Sequence, residues 1–209
     1  MESAVTTRSR KPVLIAGSLV ALVGLAAAVF VLRSDGPGSM TEQDPRGSPA
    51  WAARYYGNPD ARGFKKRKVI AIDFLGRTLF VHRGASPHFL RLGRLFEARA
   101  PEYAALVAAG DLDDWSYDNR AVSGTSVKSN HAFGIAIDLN ALTNPLGSAG
   151  DMPTEVIAQW EREGGDWGGD WARPDPMHFE THLTPAEIRR RYHRDGTPRD
   201  WYLEELVGE

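Results

Sequence analysis

"SNHAFGIAIDLN", residues 129–140, sets His131 and Asp138 on either side of Gly134 in an otherwise small and apolar run. If "GIAIDLN" is a strand, its two-residue period sends Ile135, Ile137 and Leu139 to one face and Ala136, Asp138 and Asn140 to the other. Asp138 then faces away from the apolar core. Gly134, with no Cβ, permits a sharp backbone path that folds the His131 imidazole back over the Asp138 face. Taken alone, the pair fits capping and surface polarity better than it fits half of a metal site.

A second stretch, "DPMHFE" at 175–180, changes that balance. A strand beginning near Met177 puts His178, Glu180 and His182 on one face and Phe179 and Thr181 on the other, with Asp175 just before it. Two imidazoles and one carboxylate, with a fourth position left for water, form a recurrent catalytic zinc arrangement. A nearby carboxylate that is not a ligand can take that water's proton. The pattern is not the helical HExxH motif. The chain has no cysteine, so disulfides and thiolate metal sites are excluded, and any metal must use His, Asp or Glu.

Working outward, "VIAIDF" and "TLFVH" flank a short "LGR" connection and read as a hairpin. Phe89, Leu92 and Phe96 recur at helical spacing, and a second helix from about Glu102 is stopped by Gly110. "DWSYD" reads as a short strand, "TEVIAQWERE" as a helix closed by Gly164 and Gly165, and "MHFETH" as a strand. Thr184, Pro185 and Glu187 form a helix start with an N-cap, an N1 proline and a capping-box carboxylate. Hairpins and helices without regular βαβ alternation predict an α+β domain, a small antiparallel sheet flanked by helices, over residues 64–209.

The 209 residues, 42% of them hydrophobic, allow one ordinary core plus extra segments. With 25 basic and 27 acidic residues and a formal net charge of -2, composition does not favour nucleic acid as a partner. Residues 1–12 carry Arg8, Arg10 and Lys11 and are expected to stay cytoplasmic. Residues 13–32 are uncharged and mostly apolar; as a helix they would extend about 30 Å, the thickness of a bilayer core, and are expected to form a single transmembrane anchor. The rival is a cleaved signal peptide with its site at Ala26, Ala27 and Ala28, which would release the protein. Either reading exports the C-terminal part. Residues 33–63, with "SDGPGSM", "DPRGSP" and "GNPD", read as a tether. Within them "WAARYY" is aromatic enough to suggest a short helix docking on the domain.

"SNHAFGIAIDLN" followed by "DPMHFE" resembles the M15 family of zinc DD-peptidases, which includes D-alanyl-D-alanine carboxypeptidases, dipeptidases and phage peptidoglycan endopeptidases. The likeness extends through "SYDNRAVSGTSVKSNHAFG" and "GGDWGGDWARPDPMHFE", is similar in particular to L-alanyl-D-glutamate endolysin domains, and covers about residues 65–185. It implies a hedgehog/DD-peptidase-like fold and one zinc ion per chain, held by His131, Asp138 and His178. It further implies Asp175 as general base, Arg120 as the oxyanion-stabilising residue and Ser129 as a substrate contact. Some members carry Glu at the base position, so Asp175 brings a shorter reach. The resemblance also implies a peptidoglycan stem peptide as substrate, cleaved either at terminal D-Ala or between L-Ala and D-Glu. A catalytically inactive, zinc-bearing wall-binding module is the alternative.

The remaining polar residues take plainer readings. Trp167 and Trp171 either wall a peptide groove, with Trp171 the candidate substrate contact, or close the core edge. Glu180 and His182 either orient a ligand imidazole or are ordinary strand polarity. His82, His88 and His193 are expected at the surface or in caps. "RRRYHR" is expected to be a solvated helix face.

Overall fold

The computed structural model describes residues 44–110, 115–200 and 202. The basic N-terminus, the expected anchor at 13–32 and the first part of the tether lie outside the described residues.

The first hairpin forms as expected: β1 (Val69–Phe74) pairs antiparallel with β2 (Arg77–His82), with Phe74 opposite Arg77. The turn residues Leu75 and Gly76 both have positive φ, 55° and 78°, the twist that closes a two-residue hairpin. Its inner face lies under α3 (Ser86–Arg99), whose Phe89, Leu92 and Phe96 are fully buried. The helix α4 (Pro101–Ala109) follows and stops at Gly110 in the left-handed conformation.

A second sheet of three short antiparallel strands carries the motifs, so the expected α+β fold is built with two small antiparallel sheets. Its order is β3 (Ala136–Asp138), β5 (His178–Thr181), β4 (Gly165–Trp167). Ile137 lies opposite Phe179 and both face the core, where Phe179 meets Trp160 of α6 (Thr154–Arg162) at 5.0 Å between rings. The strand at 165–167 was not anticipated within the glycine-rich stretch. Among the described residues of "DWSYD", one bridge forms, Trp115 to Asp138. The capping box of α7 (Pro185–Arg191) forms as read: Thr184 Oγ1 accepts from Glu187 N at 3.2 Å and Glu187 Oε2 accepts from Thr184 N at 2.7 Å. Such a cap is worth about 1 kcal/mol.

Two expectations change. The tether at 33–63 is not a tether throughout, because α1 (Pro49–Tyr56) buries Trp51, Ala52 and Tyr56 in the common core. Ser48 caps it, and the Tyr56 hydroxyl donates to the Leu183 carbonyl. The "WAARYY" helix therefore belongs to the domain, whose packed residues reach back to at least Arg46, well before α2 (Phe64–Lys68). His82 and His88 are buried, not superficial: His82 Nε2 lies 3.1 Å from the Tyr56 carbonyl, and His88 Nδ1 lies 2.8 Å from Thr181 Oγ1. His193 is exposed as expected. In "RRRYHR" the arginines at 189 and 190 are exposed, but Tyr192 is buried.

Candidate metal centre

Antiparallel register does the first part of the assembly. Asp138 on β3 stands directly opposite His178 on β5, so their side chains leave the sheet side by side on the face away from Phe179. His131 arrives from α5 (Asn130–Phe133), a single turn capped by Ser129 Oγ, which accepts from His131 N at 3.3 Å. The turn ends at Gly134, with φ 71°. A Cβ there would come within 2.6 Å of His82 N, whose N–H donates to the Gly134 carbonyl at 2.7 Å. Only glycine satisfies both the left-handed backbone and that close approach to β2. The expected fold-back of His131 over Asp138 is thus what the chain does. Asp138 does face away from the apolar core, but it is 4% exposed, because a cleft residue can be covered from both sides of so short a strand.

Three atoms converge: His131 Nε2 and Asp138 Oδ1 are 3.0 Å apart, His178 Nδ1 and Asp138 Oδ1 3.1 Å, and the two imidazole nitrogens 3.1 Å. The far side of each ring decides what points inward. His131 Nδ1 lies 2.7 Å from the Ser116 carbonyl, which can only accept, so that nitrogen carries the hydrogen. His178 Nε2 lies 2.9 Å from Glu180 Oε2 and likewise donates. With both rings neutral, two lone pairs and a carboxylate oxygen therefore face one point, an arrangement that requires a cation among them. Without a metal a proton has to serve. Burial opposes charge on His178, but its hydrogen bonds to Asp138 and Glu180 outweigh this and hold its pKa up at about 10. Burial likewise opposes the charge on Asp138, and the neighbouring His131 and His178 overcome it, leaving the carboxyl well below its usual range.

The donor set suits zinc. Ligands at about 2.0–2.1 Å with tetrahedral angles are separated by about 3.3 Å, and these three need to open by only a few tenths of an ångström. His131, Asp138 and His178 form a buried candidate metal-binding group.

The centre opens into a cleft of about 820 Å³ whose walls include Arg120, Ser129, Trp171, Arg173 and Asp175. Asp175 is half-buried; its Oδ1 has no hydrogen-bond partner, and burial raises its pKa above the ordinary carboxylate value, against the pull of His178. Arg120 pairs with Asp118 at 3.2 Å, and its positive charge is felt by Asp175. The Trp171 ring sits 5.1 Å from that of His178 and donates Nε1–H to Asp166 at 2.8 Å. Trp167 instead closes the core edge against Phe179. Arg120, Ser129, His131, Trp171, Asp175 and His178 thus line one cleft, with Asp138 bonded to both imidazoles.

Glu180 orients His178, and it is itself held: Oε2 accepts from Asn130 Nδ2 at 2.7 Å and Oε1 lies 2.7 Å from His182 Nε2. Burial raises its pKa, but the bonds from His178 and His182 prevail and bring it down to about 2. Sequence reasoning missed Asn130 and the Ser116 carbonyl. Asn130 adjoins His131 and was open to notice; a backbone acceptor leaves no signature in residue type.

With this geometry in view, the comparison with known families is specific. Residues 123–181 match the family model for D-alanyl-D-alanine carboxypeptidase, of the M15 peptidases. The match takes in His131, Asp138, Asp175 and His178 and supports peptidase chemistry for this site. It leaves out Arg120 and everything from 44 to 122. No curated protein and no solved structure matches the chain significantly.

Proposed function

We propose that the protein is a zinc-dependent peptidase that hydrolyses peptidoglycan stem peptides. The observation that carries this is the convergence of two imidazole lone pairs and one carboxylate oxygen at the floor of a cleft whose wall holds an unpartnered carboxylate. His131, Asp138 and His178 would hold one zinc ion. Bound there, zinc supplies Lewis acidity toward a peptide carbonyl and acidifies water. Asp175 takes the proton of the attacking water and later returns it to the leaving amine nitrogen. Arg120 brings positive charge to the oxygen of the tetrahedral intermediate. Ser129 and Trp171 line the path of the peptide.

Two bonds are candidates. Removal of terminal D-Ala is supported by the description of the matching family and by Arg173, which lines the cleft with no partner among the described residues and suits a free C-terminal carboxylate. Cleavage between L-Ala and D-Glu is supported by the likeness to endolysin motifs. Mass spectrometry of muropeptides after incubation with the zinc-loaded protein identifies the bond. Loss of one D-Ala, or separation of L-Ala from D-Glu, is the expected product. Muropeptides that are retained by the protein but remain intact would establish a wall-binding module instead. We place the domain outside the cytoplasmic membrane, on the anchor at 13–32; a mature N-terminus near Val29 would show cleavage and secretion.

A further inference from the structure

The residues just before α1 touch the metal centre, although they lie far outside the matched segment. Asn130 Nδ2 has two hydrogens; one goes to Glu180 Oε2 and the other to the Gly47 carbonyl at 2.8 Å. Gly47 has φ 78°, and a Cβ built on it would overlap His182 Nε2 and come within 2.8 Å of Glu180 Oε1. Its backbone therefore lies directly against the Glu180–His182 pair. Arg46 fastens this contact at the other end: Nη1 donates to the His182 carbonyl at 2.7 Å, and the guanidinium grips Glu187 at 2.7 and 3.1 Å. Glu187 is already fixed by the capping box of α7. Trp51 adds its ring edge-on to His182 at 6.3 Å.

We propose that Arg46 and Gly47 are positioning residues for the metal centre, closing a clamp around Glu180 that fixes the direction of the His178 lone pair. An imidazole ring aims its free nitrogen only as well as its other nitrogen is held, and losing such an outer partner typically costs about 10–100-fold in metal affinity. Here the outer partner, Glu180, is a side chain with its own rotamers. Its orientation is set by Asn130 on one side and His182 on the other, and both are held by residues 46 and 47. The clamp also reaches the second imidazole, because Asn130 immediately precedes His131. The segment before the catalytic motifs thus belongs to the metal site and is not mere attachment.

The inference rests on the zinc reading for its ion, but its test does not depend on hydrolysis. In the full chain, zinc affinity by chelator competition is expected to fall about 10–100-fold in Gly47→Ala and about tenfold in Arg46→Ala. The metal-free Tm of Arg46→Ala should stay near the parent's, because the pair it loses is half exposed. In the zinc-loaded protein the His178 Nε2–H proton signal, which reports the bond to Glu180, is expected to broaden or shift in both variants. Arg46→Lys, which keeps the charge but not the two-pronged grip, should fall between parent and alanine. Parent zinc affinity and an unchanged His178 signal in Arg46→Ala would overturn the proposal, and that variant decides alone should Gly47→Ala fail to fold. Intact muropeptides with normal zinc binding would instead count against the hydrolytic reading and leave the clamp standing.

Discussion

Asp175 and Glu180 are both carboxylates within reach of His178, and their surroundings separate their tasks. Every oxygen of Glu180 is engaged, by His178, Asn130 and His182, and the group is held ionised with its pKa at about 2. Among the described residues no side chain engages the buried Oδ1 of Asp175, and burial moves its pKa upward from the ordinary carboxylate value, the direction that suits a group which must take up a proton. Asp175→Asn is therefore expected to keep zinc and fold while turnover drops at least about a hundredfold, the lower end of a general-base contribution. Glu180→Gln should lose more in zinc affinity than in turnover. Parallel measurement of kcat and zinc content checks both; near-parent turnover in folded, zinc-loaded Asp175→Asn would move the base elsewhere. The two-residue strand period placed Asp138 on the face away from the core and His178 on one face with Glu180 and His182, while the choice of His131, Asp138 and His178 as ligands rested on the resemblance of the two motifs to the M15 family. His88 was not legible: one histidine among apolar residues reads alike in a cap and in a core, and only long-range packing against Trp160 and Tyr192 buries it.

At the scale of elements, sequence composition misled where it was averaged. Residues 33–63 are rich in Gly, Pro, Ser and Asp, and that average hid how far the segment belongs to the core, although the aromatic residues of "WAARYY" already signalled the docked helix that α1 forms. The strand β4 was hidden in a similar way, since a three-residue strand beginning at a glycine has too few positions to show alternation. Its pairing is dictated by β5, through Trp167 opposite Phe179. If α1 is core, Trp51→Ala should lower unfolding free energy by about 3–5 kcal/mol, as for other buried tryptophans. Urea denaturation measures this, and a change near zero would return α1 to the tether.

At the scale of the whole molecule, acid should loosen the fold before it affects most surface charge. Burial of the His88 ring, with the Arg191 charge nearby, depresses its pKa to about 3, and burial of His82, with Lys68, depresses that one to about 4. The ordinary value is 6.5, so between these limits the unfolded chain binds protons that the folded chain refuses. The stability that both rings contribute is complete above pH 6.5 and is lost progressively as the pH falls toward 4 and then 3. Tm measured from pH 7 down to pH 4 should fall along this limb, and His88→Gln, which does not charge, should flatten it. A His88→Gln limb as steep as the parent's would place the acid sensitivity in other groups.

Behind the second sheet Trp160 of α6 meets Phe179 and His88 of α3 meets Thr181, so that one side of the sheet is core and the other is the cleft floor. The central claim is that this floor holds a catalytic zinc ion. Titrating zinc into the metal-free protein while following muropeptide hydrolysis tests it most directly. Hydrolysis should be absent at the start, rise with added zinc, level off at about one ion per chain, and fail to appear in His178→Ala. Hydrolysis that proceeds equally well without zinc, or a fully zinc-loaded protein that cleaves no muropeptide, would contradict the account.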